Sequence, residues 1–185
     1  MSKTNIFVEG KTDEEFVRAL IEVHFDKKPD FVIYQLNGNH TRISSKVDRI
    51  KEGIMNLFIL DSDVNSKEDV VAILNPIVEE EKAHERNVSF EVFLIENNLE
   101  HLVRKVVPES KNGLWSCIDE YSKCNEELKS NALQKIDSKT KVYIYVNAHD
   151  VPENFKKRAF QNPEIWNLEH EALNLLVEFL KKYLQ

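Results

Sequence analysis

Apolar and polar residues fall in blocks along the chain, and the blocks predict strands and helices in turn. Ile6-Phe7-Val8 is a short apolar run closed by Glu9-Gly10, which reads as a first strand. Thr12 then opens a helix. Thr12 and Glu15 have capping-box spacing, Asp13 and Glu14 suit the positive end of the helix dipole, and Phe16, Val17, Leu20, Ile21 and His24 continue at helical spacing. Residues 31–36 (Phe-Val-Ile-Tyr-Gln-Leu) form a second strand that stops at the turn residues Asn37-Gly38-Asn39. A polar, partly basic stretch up to Gly53 is predicted helical. Leu57-Phe58-Ile59-Leu60 is continuous and apolar, as a buried parallel strand requires. A helix over roughly 66–85, interrupted or kinked at Pro76, leads to a fourth strand at 90–95 and a short helix around Leu99–Val106.

Strand–helix–strand alternation over the first hundred residues implies a parallel α/β sheet with right-handed crossovers. Beyond Pro108 the pattern weakens. Residues 109–137 read as polar helix anchored by Trp115, Cys117, Leu128 and Leu133, and 142–146 (Val-Tyr-Ile-Tyr-Val) fits either a strand or a buried helical turn. From Ile165 to Leu184 the apolar residues recur at helical period, predicting one amphipathic helix packed on the sheet. The organisation expected is an α/β core over 1–107 and a mainly helical extension over 108–185, together one structural domain.

Composition narrows the setting. The chain has 185 residues, 42% hydrophobic and 31% charged, and no apolar run approaches a membrane span of roughly 18–20 residues. Its start runs into a strand, not a secretory apolar segment. The two cysteines, Cys117 and Cys124, form no C-x-x-C pair; seven residues apart, they read as core thiols on one helical face. These features read as a cytoplasmic protein without a disulfide framework or a membrane partner.

The formal net charge of −7 opposes broad nucleic-acid binding, and its distribution matters more than its sum. Residues 1–60 carry nine basic and nine acidic side chains, and residues 111–185 carry eleven of each. Residues 61–110 carry five basic against twelve acidic, so the surplus lies wholly there. A carboxylate surplus is commonly a solvated helix face. The alternative is a cation site, and the acidic block begins with Asp61-Ser62-Asp63.

Glu9 closes the first strand and Asp61 the third, with Asp63 two residues on. In open parallel sheets ligands sit beyond the carboxyl ends of the strands, so neighbouring first and third strands would converge these three carboxylates on one crevice. Unpaired, they would repel one another; a hard divalent cation resolves that conflict, and an all-oxygen set suits Mg2+ or Mn2+. The competing reading is that strand-end carboxylates merely cap the helices that follow. Gly10-Lys11-Thr12 is not a phosphate-binding P-loop, because Asn5 stands where that motif needs glycine and strand residues leave no room for its cradle. Gly10 instead permits a tight turn that aims the next helix's amides at an anion. The six histidines lack zinc-ligand spacing; His40, in the loop after the second strand, could face the crevice, but more often such a residue is an ordinary loop histidine. Arg42, Lys46 and Arg49 form the best local basic cluster, suited either to a phosphate backbone or to a solvated helix.

Residues 6–13 (Ile-Phe-Val-Glu-Gly-Lys-Thr-Asp), followed by Phe58-Ile59-Leu60-Asp61-Ser62-Asp63, resemble a Toprim domain, whose hallmark is a strand-end glutamate and a later D-x-D pair associated with Mg2+. The resemblance covers roughly residues 5–106 and implies a Toprim-like, Rossmann-like, mainly parallel sheet flanked by helices, with a C-terminal helical elaboration. Asp13, Gly38 and Glu100 resemble the OLD-family nuclease branch, and the length and apolar C-terminal helix also resemble the stand-alone DUF3226 group. The OLD-type resemblance implies metal-dependent phosphodiester hydrolysis, in a nuclease or nuclease subunit. By that carry-over Glu9, Asp13, Asp61, Asp63 and Glu100 would bind Mg2+ or Mn2+, Glu9 would also be catalytic, and Lys139 or Lys141 would stabilise the transition state. The alternative it implies is a non-catalytic metal- or nucleotide-binding module serving a separate ATPase, for which this chain has no room. The partners expected are nucleic acid, weakly held without help, and such an ATPase; self-association into a homo-oligomer is compatible with both.

Overall fold

A computed structural model describes residues 4–27, 29–50, 54–63, 65–85, 87–127, 136–149 and 159–184. Four strands, β1 (Thr4–Val8), β2 (Phe31–Gln35), β3 (Met55–Asp61) and β4 (Ser89–Ile95), make one sheet in the order β2-β1-β3-β4. Every pairing is parallel, with Val8 opposite Gln35 and Ile59, and Asp61 opposite Ile95. The α/β class expected from the alternating pattern is therefore the observed one. β1 is central, and the chain leaves it first toward β2 and later toward β3, so the β1/β3 crevice is the topological switch point.

Strand alternation sends two sets of side chains to opposite faces. Phe7, Phe58, Leu60 and Val92 join Ile43, Val70, Leu74 and Ile77, from the 3-10 segment His40–Arg49 and helix α2 (Lys67–Ala83), in one core. Phe7 stacks on Phe58 and Tyr34, with ring centroids 4.7 and 5.3 Å apart. Each fully buried phenylalanine contributes about 1.5–3 kcal/mol. On the other face lies α1 (Lys11–His24), which buries Phe16, Val17, Ala19, Leu20 and Ile21. Helix α6 (Asn174–Tyr183) also packs there, with Phe179 tilted against Phe93 at 5.2 Å and the Tyr183 carbonyl accepting from the Thr4 hydroxyl at 3.3 Å.

The chain divides into two compact units, Met1–Leu99 with Glu171–Gln185, and Glu100–His170. Helix α6 lies in the same unit as the sheet. The second unit gathers α4 (Asn112–Glu127) and α5 (Ser138–Asn147) around Tyr145, whose ring lies 5.1 Å from Trp115 and 5.2 Å from Trp166. Its hydroxyl donates to the Ile165 carbonyl at 3.1 Å, and burial, only partly opposed by the Arg104 charge, pushes the phenol up to about 12. Among the described residues no helix is long and apolar enough to cross a membrane.

Several local expectations change. The cap of α1 is Gly10, not Thr12: the Asp13 carboxylate turns back to accept the Gly10 amide at 3.1 Å. That contact also takes the Gly10 amide away from any external anion. Residues 40–49 wind as a 3-10 segment and not an α-helix, while α2 continues as one helix through an exposed Pro76 without interruption. Residues 142–146 are helical, within α5. The single helix expected over 165–184 is shorter, because Asn162 and Asn167 bond the amides of Glu164 and Glu169 and hold turns that a helix would have to break. Cys117 and Cys124 are exposed, since α4 buries Trp115, Ile118, Ser122 and Asn125 and turns position 117 about 200° away from Trp115. Leu128 and Leu133, expected as anchors, lie outside the described residues, as do 51–53 of the predicted basic helix.

Candidate functional site

The loops after all four strands meet at the carboxyl edge of the sheet, where Glu9 joins those after β2 and β3, and Ser62 and Asp63 join the one after β4. Parallel pairing continues past β1: the Gly38 amide donates to the Glu9 carbonyl at 3.1 Å, which ties in the loop after β2. Asn37 and Gly38 in that loop both have positive φ, 60° and 147°, the backbone that the Asn-Gly turn signal called for. A Cβ on Gly38 would also crowd the Arg42 side chain at 3.2 Å.

The Glu9 carboxylate reaches sideways to the loop after β3. Its Oε1 accepts the Asp61 amide at 3.1 Å and the Asn65 Nδ2 at 2.8 Å. Glu9 and Asp61 thus meet between the glutamate side chain and the aspartate main chain. The Asp61 carboxylate turns elsewhere: its Oδ1 accepts the amide of Leu99, the first residue of α3 (Leu99–Lys105), at 2.9 Å. It satisfies one of the helix-start amides that have no partner within the helix. Asp63 is exposed; its amide donates to the Asn97 carbonyl at 2.8 Å, and its Oδ2 accepts from the Asn98 side chain at 3.2 Å. Asn97 takes φ 60°, and its amide donates to the Ser62 hydroxyl at 2.8 Å.

One residue at the centre was absent from the sequence reading. Asn65 is 5% exposed, and its carboxamide uses its whole bonding capacity. The Nδ2 donates to Glu9 Oε1 and, at 2.6 Å, to the Asp61 carbonyl. The Oδ1 accepts the His40 amide at 2.9 Å and stands 2.6 Å from His40 Nδ1. The only signal for it was an asparagine four residues after a strand-end aspartate, which is also what an ordinary turn looks like.

The remaining expected residues are distributed differently. Asp13 caps α1, next to Glu14, which accepts from Gln35 at 2.6 Å and pairs with Arg18 at 2.8 Å. Burial raises the Glu14 pKa, but those two hydrogen bonds and the Arg18 and Lys11 charges together hold it below its ordinary value. Glu100 is buried in the first turn of α3. Arg42, Lys46 and Arg49 share one segment. They follow the 3-10 segment from His40, beside Asn65, to Arg49, whose carbonyl accepts from Asn5 near the start of β1. At about 2.0 Å per residue, Arg42 and Arg49 stand roughly 14 Å apart along it. Arg49 pairs with Asp48 at 3.0 Å and lies over the Tyr34 ring. In the second unit, Lys139 is exposed and Lys141 pairs with Asp119 at 2.9 Å.

The donors at the crevice are carboxylate, carbonyl and carboxamide oxygens, the chemistry a hard cation requires. Among the described residues no three His, Cys, Asp or Glu side chains gather into a metal-holding group. Glu9 meets Asp61 through the aspartate's main-chain amide, and Asp61 Oδ1 is engaged by the Leu99 amide. The described residues therefore form no all-protein cation cage, and a Mg2+ ion here would have to complete its shell with water and substrate phosphate.

An all-parallel α/β sheet in the order 2-1-3-4, with an acidic, hydrogen-bonded crevice at its switch point, defines the class of this protein. Within that class the chain belongs to DUF3226, a family described as "Protein of unknown function", whose model matches residues 3–185. Comparison with curated proteins and with solved structures finds no match.

Proposed function

We propose that the switch-point crevice is a Toprim-type site for phosphate chemistry, in which Glu9 and Asp61, with Asp63 beside them, take Mg2+ or Mn2+ and act on nucleic-acid phosphodiesters, as a nuclease or nuclease subunit. The observation that supports this reading is the 3.1 Å contact between the Glu9 carboxylate and the Asp61 amide, which ties the strand-end glutamate to the main chain at the start of the D-x-D sequence. A bound Mg2+ supplies Lewis-acid activation of the phosphoryl group and of water. Glu9 and Asp61 would hold it, while Glu9, through Asn65 and the Asp61 amide, keeps the loop after β3 in place. Arg42, in the segment beside the crevice, is the cation best situated to meet a phosphate oxygen.

A non-catalytic metal- or nucleotide-binding module serving a separate ATPase is the second reading. The formal net charge of −7 favours it, since a long phosphate backbone needs several cations on one surface.

A cation titration of thermal stability tests both. At a hundred times its dissociation constant, a ligand specific to the folded state adds about 2.7 kcal/mol, which raises Tm by about 5–10 °C in a chain of this size. Asp61→Asn with Asp63→Asn keeps the oxygen that takes the Leu99 amide and should lose the shift. No shift in the wild type defeats cation binding. A shift without Mg2+- or Mn2+-dependent cleavage of plasmid or single-stranded substrates selects the module, with Glu9→Gln as the control for genuine cleavage.

A further inference from the structure

Asn65 is a buried amide whose orientation its neighbours dictate. Rotating the carboxamide by half a turn would set its oxygen against the Glu9 carboxylate and the Asp61 carbonyl, and its NH2 against the His40 amide. Three favourable contacts of fixed polarity would become three like-with-like ones, so Oδ1 faces His40. The 2.6 Å approach of His40 Nδ1 to that oxygen then needs a proton on Nδ1. In the neutral ring, that places the lone pair on Nε2, on the side of the imidazole away from Asn65.

We propose that His40 is the proton acceptor of the crevice, and that Asn65 is a positioning residue holding it as the Nδ1–H tautomer. His40 is half-buried, at the head of the segment that also presents Arg42, and Asn65 connects it directly to Glu9. A ring nitrogen fixed through its partner nitrogen is oriented before any substrate arrives, which is how second contacts tune imidazoles at working sites. The role rests on the phosphodiester reading above. In that reaction the oxygen of water forms the new bond to phosphorus while His40 Nε2 takes one of its protons. The bond from phosphorus to the leaving oxygen breaks, and solvent protonates that oxygen.

Long-range 1H–15N correlation on the uniformly labelled full chain, free of metal, reads the tautomer directly. The wild type should show His40 protonated at Nδ1 with Nε2 bare, and Asn65→Ala should shift His40 toward the Nε2–H form. An Nε2–H ring in the wild type overturns the proposal whether or not the variant folds, and so does a tautomer unchanged in a folded Asn65→Ala. With bis(p-nitrophenyl) phosphate and Mn2+, His40→Ala should lower kcat about 10²–10⁴-fold. Asn65→Ala should lower it about 10–100-fold with KM little changed. A His40→Ala enzyme with wild-type kcat overturns the proton-acceptor role. A wild type that shows the Nδ1–H tautomer and hydrolyses nothing overturns the phosphodiester reading and upholds the Asn65–His40 arrangement by itself.

Discussion

The sharpest stability prediction concerns two asparagines buried at the other end of the sheet. Asn5 and Asn56 face each other across β1 and β3, 2% and 0% exposed. Asn5 Nδ2 donates to Asn56 Oδ1 at 3.1 Å and to the Arg49 carbonyl at 2.9 Å. Asn56 Nδ2 donates to the carbonyls of Ile54 at 2.9 Å and Ser89 at 3.0 Å. Removing the Asn56 side chain abolishes three of these bonds and removing Asn5 abolishes two. At about 1 kcal/mol each, Asn56→Ala should cost about 3 kcal/mol and Asn5→Ala about 2. The double variant lacks four bonds and should cost about 4 kcal/mol, leaving a coupling of about 1 kcal/mol for the bond the two share. Urea unfolding of the four proteins measures this through the midpoint at constant m-value. Costs below about 0.5 kcal/mol would place both residues with ordinary surface substitutions and refute the argument. Strict additivity would refute the shared bond while leaving the separate contacts standing.

Other outcomes follow from single features. The Tyr145 phenol, raised to about 12, stabilises the fold fully below its ordinary value of 10, and that contribution is lost as pH rises from 10 through about 12. Alkaline melts should therefore steepen over that window, and Tyr145→Phe should flatten the dependence while losing about 1 kcal/mol at neutral pH with the Ile165 bond. A dependence unchanged in Tyr145→Phe would assign the window to another group. Cys117 and Cys124 are exposed, so both should react with a disulfide reagent in the folded protein without denaturant, and replacing either with alanine should change stability by no more than about 0.5 kcal/mol. Slow labelling limited by unfolding would contradict their placement on α4.

What the sequence made legible was the part governed by strong periodicity. Leu57 to Leu60 has no polar interruption because β3 is covered on both faces, and that run alone identifies a central parallel strand. Glu9 and Asp61 could be placed at strand ends for the same reason. Their partners could not, because hydrogen bonding of loops to one another leaves no period in the sequence. Asp61 takes the Leu99 amide thirty-eight residues away, and Asn65 joins His40 to Glu9 across two loops. Arg42, Lys46 and Arg49 follow a 3-10 segment, which extends about a third further per residue than an α-helix and spaces them more widely than the predicted helix would. The cysteines erred by phase, since a shared helical face is a buried one only if it coincides with that of Trp115 and Ile118.

The buried asparagine pair and the acidic crevice belong to one arrangement, because both depend on the register of β1 against β3. Asn5 opposite Asn56 fixes that register at the amino end, where two carboxamides meet only when the strands are aligned. Four residues further on, roughly 13 Å at a strand's rise, the same alignment carries Glu9 to the Asp61 amide. A slip of one residue would pair Asn5 with an aliphatic neighbour, leave its amide unmatched in the core, and turn each facing side chain to the opposite side of the sheet. It would also withdraw the Glu9 carboxylate from Asn65, and with it the alignment of His40. Polar residues in a strand interior are costly unless fully bonded, and here the cost is offset by specificity of pairing. Disruption of Asn56 should therefore reach the crevice as well as the stability curve. The His40 Nδ1–H signal should broaden or shift in folded Asn56→Ala, and should stay unchanged in a variant equally destabilised at Ile77 of α2, which leaves the β1/β3 pairing untouched.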